Sequence, residues 1–112
     1  MIKHSVVFKL KHGKGSAGEK AFIAATQSLS RLPGVQNLEV LRQISPKAPY
    51  TFALFMDFVS QPAYDAYMKH PDHVAYTRDR WDEEVTDFMI IDYTPLGRSP
   101  LPRPRPGGAR KG

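Results

Sequence analysis

The chain has 112 residues, 41% hydrophobic and 24% charged, and no cysteine. That length allows one domain with one modest core, and the missing thiols exclude disulfides, cysteine nucleophiles and thiolate metal sites. The net charge of +5 is a property of the last 15 residues: Arg98, Arg103, Arg105, Arg110 and Lys111 all follow Gly97, while the first 97 residues balance 11 basic side chains against 11 acidic ones.

A neutral body argues against nucleic acid as a partner. No apolar run approaches the ~20 residues that span a bilayer. The opening stretch, MIKHSVVFKLK, interrupts its apolar positions with lysine and histidine, unlike the apolar core of a signal peptide. A cytoplasmic protein without a membrane partner is expected.

In chain order, residues 2–11 alternate, with His4, Val6, Phe8 and Leu10 on one face and Lys3, Ser5, Lys9 and Lys11 on the other. That is a half-buried strand. HGKGSAGE is a connection, with Ser16 placed to cap the next element. Residues 17–32 carry Phe22, Thr26, Leu29 and Leu32 near helical spacing, an amphipathic helix that Pro33 and Gly34 end. Residues 35–44 set Leu38, Val40 and Ile44 against Asn37, Glu39 and Gln43, a second strand. SPKAP is a turn. Residues 50–59, YTFALFMDFV, are apolar almost throughout and predict a central strand buried on both faces. Residues 61–68 and roughly 74–85 are helical, split by KHPDH, and residues 87–94 form the last strand. The tail after Leu96 holds Pro100, Pro102, Pro104 and Pro106 with Gly107 and Gly108. It predicts a flexible basic extension over 97–112, beside one domain over 1–96.

The order is β-α-β-β-α-β, an α+β, ferredoxin-like protomer. Both helices then cover one side of the sheet, and the other side should be polar. Instead, Leu41, Ala53, Phe55, Met89, Ile91 and Tyr93 fall on the parity opposite Val40, Leu54 and Ile90. An apolar face of that extent needs a second layer, and the simplest is a two-fold homodimer packed sheet to sheet.

Chemistry concentrates in YMKHPDH, Tyr67 to His73. Pro71 disfavours a helical conformation at His70 and suits the first turn of a new helix. His70 becomes an outward boundary residue. His73 and Tyr67 lie on either side of the break and can both face inward, toward the strand bearing His4. Three readings compete. In the first, which the pattern alone favours, Tyr67 and His73 satisfy one another or the backbone, and His4 is a core histidine bonded to a carbonyl. In the second, His4, His70 and His73 bind a metal; a pair split by proline lacks the usual i,i+4 spacing, and this ranks lowest. In the third, His73 moves protons at neutral pH with a tyrosine hydroxyl beside it, a pairing worth about 10²–10⁴-fold in rate. No phosphate loop, dinucleotide fingerprint or nucleophile elbow is present.

IKHSVVFKLK, LPGVQNLEV, YDAYMKHPDHVAY and DYTP together resemble the stress-responsive α/β-barrel (Dabb) family from about Met1 to Leu96. The resemblance implies a ferredoxin-like protomer that dimerises through its sheet into an α/β barrel. It also implies two functional classes: stress-associated proteins with no settled activity, and a plant polyketide cyclase branch, typified by olivetolic acid cyclase. That branch cyclises linear polyketide thioesters by an intramolecular aldol condensation without a cofactor, and no metal site is expected here. Its essential histidine and tyrosine fall at His73 and Tyr67, its N-terminal pocket histidine at His4 and the histidine before proline at His70. The chain departs from the branch at Phe52, where the cyclase has a pocket histidine.

The expectation is therefore a pocket between sheet and helices for a small hydrophobic or carbonyl-containing ligand. His73, Tyr67 and His4 are its catalytic candidates. Phe52, Leu54, Tyr76, Trp81 and His70 are its binding residues. The alternative is a non-enzymatic stress-response protein in which the Tyr67/His73 junction is structural.

Overall fold

The computed structural model describes residues 1–97, so the tail expected beyond Gly97 lies outside the described residues. Strand β1 (Ile2–Leu10) is followed by α1 (Ala17–Gln27). Ser16 caps α1, its Oγ accepting from the Glu19 amide at 3.2 Å. A 3-10 turn over Ser28–Arg31 tightens the helix end, and Gly34, at φ +85°, takes the left-handed conformation that turns the chain back. Strands β2 (Gln36–Arg42) and β3 (Phe52–Phe58) form a hairpin. Then come α2 (Gln61–Lys69), α3 (Pro71–Tyr76), a π-helical turn over Thr77–Trp81, the short α4 (Asp82–Glu84) and β4 (Val85–Tyr93). No helix among the described residues is long and apolar enough to cross a membrane.

The four strands pair antiparallel in the order β2-β3-β1-β4, which makes the fold ferredoxin-like α+β. The apolar strand β3 is interior to the sheet, as its sequence predicts. Strand β2 stops at Arg42, short of the expected end at Ile44. There the Gln43 side chain turns to bond the Tyr50 carbonyl at 2.7 Å, and Ile44 projects from the loop at 89% exposure.

Among the described residues, helices lie on one face only. That face carries Val6 and Phe8 from β1 and Phe52, Leu54, Met56 and Phe58 from β3, packed against Phe22, Leu29, Leu32 and Tyr67. Each such side chain, once buried, contributes about 1.5–3 kcal/mol before entropy is charged. On the bare face Leu41, Met89 and Tyr93 remain exposed, while Ala53, Phe55 and Ile91 are half-buried. Asp57 is the buried charge there, held by Lys3 Nζ at 2.8 Å and by Asn37 Nδ2 at 3.0 Å. The helical layer also stops short of β4. Phe88 and Ile90 pair with Phe8 and Val6 on the helix side but keep about half their surface, 48% and 49%.

Candidate functional site

The break between α2 and α3 builds the site. Before Pro71, His70 adopts φ −60°, ψ 134°, an extended conformation that no helix can continue through. Its Nδ1 accepts from the Asp72 amide at 3.0 Å and so caps α3. In an unbroken helix that amide would bond the Met68 carbonyl, four residues back. Released, the Met68 carbonyl takes the Nδ1–H of His73 at 3.2 Å. The proline thus supplies the acceptor that fixes the His73 tautomer.

With Nδ1 protonated, the Nε2 lone pair of His73 is available, and Nε2 has no hydrogen-bond partner among the described residues. Burial depresses the His73 pKa below its ordinary 6.5, against the raising effect of the Met68 carbonyl; the ring is a neutral base at pH 7. Tyr67 packs 4.4 Å from it, centroid to centroid. Tyr67 is 2% exposed. Burial, with lesser repulsion from Tyr76 and Tyr64, raises its pKa, so it stays a phenol. Its hydroxyl has no partner among the described residues, a condition that costs about 1–3 kcal/mol for a buried donor.

Both groups line a cavity of about 190 Å³ between the sheet and the α2–α4 layer. Leu29, Leu54, Met68, Phe88 and Ile90 make its walls apolar. A shallower lobe lined by Val74 and Arg78 shares Met68, His73, Thr77 and Asp82 with it, which places His73 between the interior and the outside. The π-helical turn widens the backbone and brings Tyr76, Thr77, Trp81 and Asp82 to the same wall despite their i, i+5 spacing. Trp81 packs on Phe8 at 5.0 Å and edge-on to Phe88 at 5.6 Å. Thr26 Oγ1 donates to the Phe22 carbonyl at 2.9 Å, so the Tyr76 hydroxyl donates to Thr26, 2.5 Å away. Tyr76 is left as an acceptor, and Tyr67 is the hydroxyl free to donate.

Of the residues expected at the site, His4, Leu54, Tyr67, His73, Tyr76 and Trp81 come together on the cavity. Phe52 and His70 do not. Phe52 has the right parity but lies one row deeper, stacked on Phe8 at 5.3 Å under the Arg42 guanidinium. The His70 side chain is spent on capping α3. His4 differs from the simple core histidine. Its Nδ1–H donates to the Asp92 carboxylate at 2.6 Å rather than to a carbonyl. Tyr64, whose hydroxyl donates to the other Asp92 oxygen at 2.9 Å, lies 3.0 Å from the same nitrogen. Asp92 and Tyr64 were not foreseen. The signals for them are an acid on the parity of Phe88 and Ile90 in an apolar strand and the place of both residues within DYTP and YDAYMKHPDHVAY. Among the described residues no three or more His, Asp or Glu side chains cluster as a metal site requires.

A model of the stress responsive A/B barrel domain, Dabb, matches residues 2–95. No curated protein matches the chain. Among solved structures, a Dabb family protein with a ferredoxin-like fold from Mesorhizobium loti is 54% identical, with a TM-score of 0.82 over 86% of this chain and 97% of that one. A dimeric ferredoxin-like protein of unknown function from Thermobifida fusca is 22% identical, with a TM-score of 0.68 over 82% and 88% of the two chains. Hydroxynitrile lyase from Passiflora edulis is 14% identical, with a TM-score of 0.76 over 88% and 96%; these two share the fold. The match over nearly the whole described chain, joined to the close Mesorhizobium structure, places this protein in the Dabb family.

Proposed function

We propose that the protein is a cofactor-independent lyase or cyclase that removes a proton next to a carbonyl in a small hydrophobic ligand, such as a polyketide-like chain. The observation that carries this reading is the pairing of a base and an acid, both without a partner among the described residues, on one apolar cavity: His73 Nε2 and the Tyr67 hydroxyl. His73 Nε2 takes the α-proton, and the C–H electron pair becomes an enolate whose oxygen accepts from Tyr67. In a cyclisation the enolate carbon attacks a second carbonyl of the same ligand, and the new alkoxide recovers the proton from the His73 imidazolium. No electron acceptor or metal enters this balance. His4 holds the ligand on the sheet side. A junction filled by side chains, with both polar groups bonded to backbone, would instead favour a structural role; here the space is open and the Tyr67 hydroxyl has no partner among the described residues.

The bare sheet face supports a homodimer, with Leu41, Phe55, Met89 and Tyr93 covered by a second copy. Burying that face in water favours association roughly in proportion to its apolar area.

Deuterium exchange tests the chemistry without the natural ligand. Aryl methyl ketones and 1,3-diketones in D₂O should lose their α-proton signals faster with the protein than with His73→Ala, by about 10²–10⁴-fold. Equal rates for the two proteins would overturn the proposal and leave the Tyr67/His73 junction as structure.

A further inference from the structure

His4 is anchored by two groups that nothing in the proposed proton transfer uses. Its side chain is only 5% exposed, with Phe58 at 6.5 Å and Tyr64 at 5.0 Å, centroid to centroid, against the ring. Strand pairing sets Asp92 directly across from it. The Asp92 carboxylate is filled on both oxygens, by His4 Nδ1–H at 2.6 Å and by the Tyr64 hydroxyl at 2.9 Å. Tyr64 stays protonated, because burial and then the Asp92 hydrogen bond both raise its pKa. Since a carboxylate only accepts, it holds the proton of a neutral imidazole on Nδ1. Nε2 is then an acceptor with no partner among the described residues, on a ring that lines the cavity.

We propose that Asp92 and Tyr64 are positioning residues that hold His4 in its Nδ1–H tautomer, so that the sheet wall of the cavity accepts a hydrogen bond from a hydroxyl or enol of the ligand. A ligand carrying its carbonyl toward Tyr67 and a hydroxyl toward His4 fits; one with an ether or methyl at the second position leaves Nε2 buried and unpaired. That loss is the kind a polar site discriminates against strongly. The inference deepens the proposed activity by naming a second group of its ligand, and its test needs no turnover.

The test is imidazole ¹⁵N spectroscopy of the full chain, with phenol and anisole as probes of equal ring size that differ in the donor. Neutral His4 is expected as the Nδ1–H tautomer, and phenol should move its Nε2 resonance at concentrations at least tenfold below those anisole needs. Asp92→Asn keeps an oxygen for Nδ1–H and should keep both results. Asp92→Ala should move His4 to the Nε2–H tautomer and abolish the preference for phenol. Tyr64→Phe should reduce the preference by less. An Nε2–H tautomer in the unaltered protein overturns the proposal, as does equal response to the two probes. So does an Asp92→Ala protein, folded by its amide spectrum, that behaves as the parent does. Should Asp92→Ala not fold, the parent tautomer and the Tyr64→Phe response decide. Failure of the proton-transfer reading appears elsewhere, as equal exchange by the parent and His73→Ala, and leaves these results untouched.

Discussion

The layer between sheet and helices has a filled end and a hollow end. At the filled end Phe8 meets Phe22, Phe52 and Trp81 ring against ring at 5.0–5.9 Å. At the hollow end Phe58, Tyr64 and Tyr67 pack as closely, at 5.1–5.2 Å, yet a cavity opens beside Tyr67 and runs from there to Trp81 at the margin of the filled end. Aromatic mass is therefore not what separates the two ends. What differs is that the helix breaks over the hollow one, at Pro71, and that polar atoms collect there: His4, Asp92, Tyr64, Tyr67 and His73. An end that leaves a buried phenol unbonded gives up stability that the filled end retains, as sites shaped for ligands commonly do.

Substitutions at the two ends should separate stability from chemistry. Phe22→Ala empties a wholly buried position in the filled end and should cost about 3–5 kcal/mol in denaturant unfolding. Leu54→Ala removes a cavity wall and should cost less, about 2 kcal/mol, since the site already borders empty space. Tyr67→Phe removes the unbonded hydroxyl and should leave the protein as stable or about 1 kcal/mol more so, while slowing α-proton exchange. A loss for Tyr67→Phe as large as that for Phe22→Ala would erase the distinction between the ends.

The smallest effect expected is a pH dependence. Burial lowers the His73 pKa in the folded state, so the unfolded chain binds this proton more readily and acid favours unfolding. Stability from this group is complete above the ordinary value of 6.5 and falls as pH drops from there toward the folded pKa. Glu19, held low by Arg42, and Asp57, held low by Lys3 and Asn37 against its burial, lose their contributions only below 4.5 and 3.8. The difference between parent and His73→Ala from pH 7 to 5 isolates His73; a flat difference would mean that the folded protein does not depress it.

Much of this was legible in the sequence because local chemistry decided it. Alternation placed His4 on the buried face of β1, the apolar run placed β3 inside the sheet, and Pro71 split the helix so that Tyr67 and His73 meet. The misplaced residues depended on distant partners. Ile44 fits the strand pattern, but the Gln43 side chain closes the loop before it. Phe52 shares a face with Leu54, and only the packing of Phe8 and Arg42 sets it beneath the cavity rather than on it. Asp92 was missed because its bond to His4 spans 88 residues and requires the β1–β4 register, which itself shifts between Lys9 and Leu10. Periodicity gives a residue's face; it does not give the row it occupies or the residue across from it.

The most direct test of the central claim, that neutral His73 is the base, is the pH–rate profile of α-proton exchange. The account predicts a rate that rises as His73 loses its proton below pH 6.5 and is level from pH 7 to 8, with His73→Ala at the buffer rate throughout. A rate that falls as pH rises through 6.5, or a profile that His73→Ala reproduces, would contradict it.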